Sequence, residues 1–120
     1  MAGMFTAREG WAVTDVDGRI ETVSSGAPLL FGVERLARGD NLLEYFPLLR
    51  KALQFDIALA LGGWPAERAV IMHSAVGPVT LRYRVSRRYQ ELSSSAGLYW
   101  SLCTCRGDGD MGDDASPRPV

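Results

Sequence analysis

Asp17-Gly18, set between two short runs of β-type residues, constrains this chain more than any other pair of neighbours. An Asp-Gly dipeptide supplies the positive-φ backbone of a tight hairpin turn. Trp11–Val16 and Arg19–Val23 are therefore expected to be antiparallel strands. Helical signals follow at once. Ser24 or Ser25 can cap a short helix over Ala27–Phe31, Pro28 suits its first turn, and Gly32 suits its end. Glu34–Arg38 reads as a further helical turn stopped by Gly39. Asp40 or Asn41 can then cap a short helix carrying Leu42, Leu43, Tyr45 and Phe46.

Pro47 is expected to start the longest helix, Pro47–Leu61, which ends at Gly62-Gly63. At 100° per residue, Phe55, Leu48, Leu59, Ala52, Leu49, Ala60 and Leu53 gather on one arc. Arg50, Gln54 and Lys51 fall opposite. Asp56 is the anomaly, because it sits near the middle of the apolar arc. Beyond Trp64-Pro65 the period changes to two. Glu67–Val76 and Val79–Arg87 read as strands joined by Gly77-Pro78 in a type II′ turn, which would pair Met72 with Tyr83 and Val70 with Val85. Those residues share an apolar face. Ala69, Ile71, His73, Ala75, Thr80, Arg82, Arg84 and Ser86 take the other, with His73 opposite Arg82. Gln90–Gly97 is a polar loop and Leu98–Cys105 a final, mostly apolar strand. Five antiparallel strands then form one layer and the helices a second, an α+β fold.

This order of elements, opening on Asp15-Val-Asp-Gly-Arg-Ile20 and continuing through Gly39-Asp-Asn-Leu-Leu-Glu-Tyr-Phe-Pro47, resembles a PAS domain over residues 10–105. The resemblance implies a five-stranded antiparallel sheet of order 2-1-5-4-3 with helices packed on one face. The long helix would cross the concave face, with any ligand between helix and sheet. It also implies a sensor that passes a signal to a partner. Residues 1–9 are then an N-terminal extension. Residues 106–120, rich in Gly, Asp and Pro, are a disordered tail or linker.

Composition narrows the function. The formal net charge of −1 provides no overall pull toward nucleic acid or anionic membrane. No apolar run approaches the ~20 residues that span a bilayer. Met1–Gly10 lacks the apolar stretch of a signal peptide, and the two cysteines are too close to favour a disulfide, so a cytoplasmic setting is expected. PAS domains that hold haem often use a His on the long helix or its adjoining loop, and Pro47–Leu61 has none. Flavin-binding light sensors and photoactive yellow protein need a Cys in the middle of the chain, and residues 24–65 contain none. Haem and flavin are thus disfavoured, and any cofactor is left open. Cys103 and Cys105 have no second Cys/His cluster to complete a four-ligand metal site, so no metal site is expected.

Asp56 is the residue most open to a functional reading, since a carboxylate on an apolar face is costly unless partnered. It is either a polar anchor in a ligand pocket or the partner of an Arg or a backbone donor. The candidate pocket comprises Asp56, Phe46, Leu49, Leu53, Met72 and Tyr83. Ala12, Ile71, His73, Ala75 and Tyr99 are the candidate interface. The expected function is a sensory or regulatory module of bacterial signal transduction, non-enzymatic, acting through a homodimer or an effector partner, with a small-molecule ligand between helix and sheet. The alternative is a ligand-free fold used for dimerisation or docking, its core filled by bulky side chains. A cavity of at least ~300 Å³ under the long helix would separate the two. An enzyme using Asp56 as general base lacks a second catalytic group.

Overall fold

The computed structural model describes residues 7–74, 77–88 and 96–106. Its strands are β1 (Ala7–Asp15), β2 (Ile20–Val23), β3 (Ala66–Ser74), β4 (Gly77–Arg88) and β5 (Gly97–Arg106). Between β2 and β3 lie α1 (Ala27–Leu30), a 3-10 helix over Leu42–Tyr45 and α2 (Arg50–Leu61). The strands form one antiparallel sheet of order β2-β1-β5-β4-β3. Alternate residues of every strand face a single core. Ala12, Thr14, Leu81, Tyr83, Val85, Leu98, Trp100 and Leu102 are all buried beneath the helices. The helices occupy one face, and the other carries Trp11, Ile71, Arg82, Arg84 and Tyr99.

The first hairpin keeps its glycine but lengthens its loop. Gly18 has φ +93°, yet the Asp15 N–H donates to the Arg19 carbonyl, leaving three residues in the turn rather than two. The Asp15 carboxylate decides this by accepting from the backbone N–H groups of Asp17 and Arg19, both at 2.9 Å. β1 also begins at Ala7, four positions before the expected edge, because its whole length pairs with β5. The free side of β2 is partly covered. The Ile20 N–H donates to Asp40, the Gly39 N–H to Ile20, and the Leu42 N–H to Gly18. β3 closes the other side and, among the described residues, pairs only with β4.

Other expectations shift for definite reasons. Ser24 does not cap α1; its hydroxyl accepts from the Trp11 N–H at 2.9 Å, and Gly26 is the N-cap. Glu34–Arg38 is irregular. Asn41 caps the 3-10 helix, its side chain accepting from the Leu43 N–H. α2 starts at Arg50 rather than Pro47, since Leu49 has an extended backbone. It buries Leu53, Asp56, Ile57 and Ala60, so the apolar arc is rotated from the expected one. Leu49, Phe55 and Leu59 are exposed at 78%, 61% and 36%.

In the β3–β4 hairpin Ser74 faces Gly77, so Gly77-Pro78 belong to β4 rather than to the turn. Met72 therefore pairs with Val79 rather than Tyr83, Val70 with Leu81 rather than Val85, and His73 with Pro78 rather than Arg82. A slip of an even number of residues keeps every side chain on its expected face. Pro78, which has no N–H to donate, is tolerated near the start of its strand. Ala75 and residues 107–120 lie outside the described residues, as does most of the expected 90–97 loop.

Candidate functional site

α2 is held to the sheet by packing rather than by its own ends. It has no side-chain N-cap, no acidic residue in its first turn and no basic one in its last. A twelve-residue helix of that kind depends on tertiary contacts for its stability. Those contacts are narrow: Leu53, Ile57 and Ala60 supply apolar burial, and Asp56 supplies polarity.

Asp56, 3% exposed, is gripped from two strands. Arg68 of β3 donates through Nε to Oδ2 at 2.8 Å and through Nη2 to Oδ1 at 2.9 Å. The Tyr83 hydroxyl of β4 donates to Oδ2 at 2.6 Å. Arg68 and Tyr83 are directly opposed in the β3–β4 ladder, so one rung of the sheet converges on one carboxylate. Burial alone would push the Asp56 carboxyl up. Hydrogen bonds from Arg68 and Tyr83, together with the guanidinium charge, outweigh burial and hold the carboxyl below its ordinary range. Burial raises the Tyr83 phenol, and its bond to the carboxylate raises it further. The Arg68 guanidinium, held by Asp56, keeps its proton more firmly than usual.

Next to this cluster lies an aromatic plug. Phe46 meets Tyr83 at 4.9 Å between ring centroids and Trp100 at 5.4 Å; Phe31 meets Phe46 edge-on at 5.4 Å. Tyr83 and Trp100 are 5.6 Å apart. Phe46, Tyr83 and Trp100 are all buried, and the Trp100 indole N–H donates to the Thr14 hydroxyl at 3.0 Å. These rings stand where helix meets sheet. Two shallow depressions, of about 400 and 620 Å³, open on the outer sheet face around Ser101 and Cys103.

Of the six candidate pocket residues, Asp56, Phe46, Leu53 and Tyr83 come together in this buried region, and Met72 is half-buried against the core. Leu49 does not join them; it projects into solvent just before α2. Of the candidate interface residues, Ile71, His73 and Tyr99 lie exposed on the outer face. Ala12 does not: opposed to Trp100 and Val23, it is fully buried on the inner face. Trp11 stands outward in its place, stacked on Tyr99 at 6.4 Å and 21°. Arg68 was not among the candidates. Its even-numbered position put it on the face of Val70 and Met72, and that was the available signal. Cys103 and Cys105 are both partly exposed.

No family model matches the sequence, and no curated protein matches it. The fold, in contrast, is that of PAS domains. The PAS domain of an HTR-like protein from Haloarcula marismortui superposes with a TM-score of 0.60 at 14% identity, over 78% of each chain. That of BvgS from Bordetella pertussis gives 0.58 at 15%, covering 78% of this chain and 74% of the other. The light-state LOV domain of the blue-light photoreceptor Aureochrome1 gives 0.57 at 14%, covering 87% and 85%. At such identities the likeness is one of architecture. Among the described residues no helix is long and apolar enough to cross a membrane.

Proposed function

We propose that this chain is a regulatory module of signal transduction that works by association with a second copy of itself or an effector, with its interior filled by its own side chains. The observation that carries this reading is the contact of Phe46 with Tyr83 and Trp100 beside α2. Flavin or haem would need that volume, and three large rings already use it. The Asp56 carboxylate has both oxygens engaged and a lowered proton affinity, which suits a strut better than a general base.

The surface that suits association is the outer sheet face. Ile71 is 61% exposed, and the Trp11–Tyr99 stack is nearly 40% exposed at each ring. Such apolar side chains on an open sheet favour a protein partner. Signal transfer would then be a shift in the population of α2 positions, read out through strands β3 and β4 that hold it. A cytoplasmic setting and the absence of nucleic-acid binding belong to the same reading.

Native mass spectrometry of protein purified from its source, with sedimentation velocity, tests it. The expected result is a ligand-free dimer or a defined complex, dissociated by Ile71→Glu combined with Tyr99→Glu. A retained small molecule or a coloured preparation would overturn the filled-interior reading. A monomer unaffected by those substitutions would overturn the docking surface.

A further inference from the structure

In an antiparallel pair, alternate residues aim both their N–H and their C=O away from the neighbouring strand. β3 is bonded to β4 on one side, so it presents a row of such groups on the other. An edge of this kind is commonly blunted by a short strand, a bulge, a proline or lysine, or a covering loop. β2 shows three of these devices. It has four residues, its register with β1 is broken between Val13 and Thr14, and the 39–40 segment bonds along it. β3 shows none of them. Its nine residues, Ala66–Ser74, include neither Pro nor Lys and pair with β4 without a break. Among the described residues, no other element takes up its backbone groups.

The side chains of β3 match a second β3. A two-fold axis at Val70, the midpoint of the nine residues, sets an antiparallel copy against the whole strand. On the outer face Glu67 then stands opposite the second copy's His73, and Ala69 opposite its Ile71. All four side chains are exposed, Ile71 at 61%. A carboxylate thus meets an imidazole at both ends of the ladder, and a small apolar residue meets a large one on either side of the axis. Glu67 is free to do so, since its contact with Arg84 is loose, at 3.8 Å, and its side chain is 71% exposed. On the inner face Val70 meets its own copy and the Arg68 stem faces Met72; Val70 and Met72 are only partly buried within one chain. An axis at Ala69 would put Glu67 opposite Ile71, and one at Ile71 would put Ala69 opposite His73, each with a shorter ladder. Opposite-charge and apolar pairs across strands favour pairing, and a two-fold interface repeats each of them. We propose that two copies of this chain join antiparallel along β3, about an axis at Val70. The proposal rests on the reading of the chain as an associating module and assigns a second copy as the partner.

The test is sedimentation velocity on the full chain, with cross-linking through single cysteines in a chain carrying Cys103→Ser and Cys105→Ser. A concentration-dependent dimer is expected. Val70→Cys should link two chains by a disulfide under mild oxidation, since directly opposed residues have Cα atoms about 4.5–5.5 Å apart. Ala69→Cys, whose counterpart lies opposite Ile71 instead, should not. His73→Glu sets two carboxylates against each other at both ends and should weaken the dimer on the order of tenfold. Adding Glu67→Lys should restore it. Residues 67 and 73 are exposed, so this pair of variants decides the matter if Val70→Cys loses its fold. A monomer would overturn the proposal and leave only an effector as the partner in the reading beneath it. A dimer indifferent to His73→Glu, or one linked as readily by Ala69→Cys as by Val70→Cys, would overturn the β3 pairing alone. If Tyr99→Glu, two strands away on β5, separates that dimer, association through the outer face stands without it.

Discussion

Arg68 on β3 holds both carboxylate oxygens of Asp56 on α2, and the oxygen bound by its Nε also takes the Tyr83 hydroxyl. This is the polar fastening between helix and sheet. Asp56→Ala leaves a guanidinium and a buried phenol without their acceptor. A fully buried pair broken this way costs 3–5 kcal/mol; with Arg68 one-third exposed and able to turn to water, about 2–4 kcal/mol is expected. Tyr83→Phe, which removes one donor and leaves the pair, should cost about 1–2 kcal/mol. Removing the exposed Arg84–Glu67 pair, 3.8 Å apart, should change nothing measurable. Urea unfolding of the variants decides the order.

The same cluster gives stability a pH dependence at both ends. The folded Asp56 carboxyl titrates below its unfolded value, so its contribution is present above about pH 4 and is lost as pH falls through the lower, folded value. The Tyr83 phenol is raised, so the folded state keeps a proton that the unfolded chain releases above about pH 10, and stability falls there. Asp56→Asn should flatten the acid limb. Tyr83→Phe should flatten the part of the alkaline limb that tracks tyrosinate absorbance. Denaturation midpoints collected across the pH range check both.

Gly18 and Gly63 both have positive φ, near +95°, and differ in what surrounds them. A Cβ on Gly18 would sit 2.6 Å from Leu43 Cγ, whereas one on Gly63 meets nothing within 4 Å. Gly63→Ala should cost about 1–2 kcal/mol for backbone strain alone. Gly18→Ala should cost more, because the buried Leu43 must also move, and should lower Tm further in a thermal melt.

Phe46→Ala removes the centre of the aromatic plug. A loss of about 3–5 kcal/mol is expected, with a cavity left behind because Tyr83 and Trp100 are fixed by their own hydrogen bonds. That cavity is apolar enough to take benzene or xenon. Ligand-observed NMR should detect uptake by the variant and none by the parent chain.

The sheet was legible because its information is local and periodic. The hairpin turn at Gly18 and the two-residue alternation after Pro65 both stand in the sequence. The β3–β4 register was not legible, since Val70 opposite Leu81 and Val70 opposite Val85 leave the same residues facing inward. The face of α2 was misjudged for a physical reason. Summing hydrophobicity around a wheel gives Phe55 and Leu49 weight and treats Asp56 as an intruder, while an ion pair to Arg68 makes Asp56 part of the buried face. Asp56 stood out from the start as a carboxylate needing a partner. Its partner did not, because the inward face of that strand is apolar only as far back as Val70, and Arg68, the next residue on it, carries a charge that hydrophobic alternation does not pick out.

The two borders of the sheet are not alike. Ile20, on one border, already exchanges hydrogen bonds with Gly39 and Asp40, while β3 presents nine residues of backbone on the other. Among the described residues, β3 is therefore the margin more open to a further strand. Two chains meeting border to border along β3 would cover that margin in both at once, so such a union closes on itself as a pair.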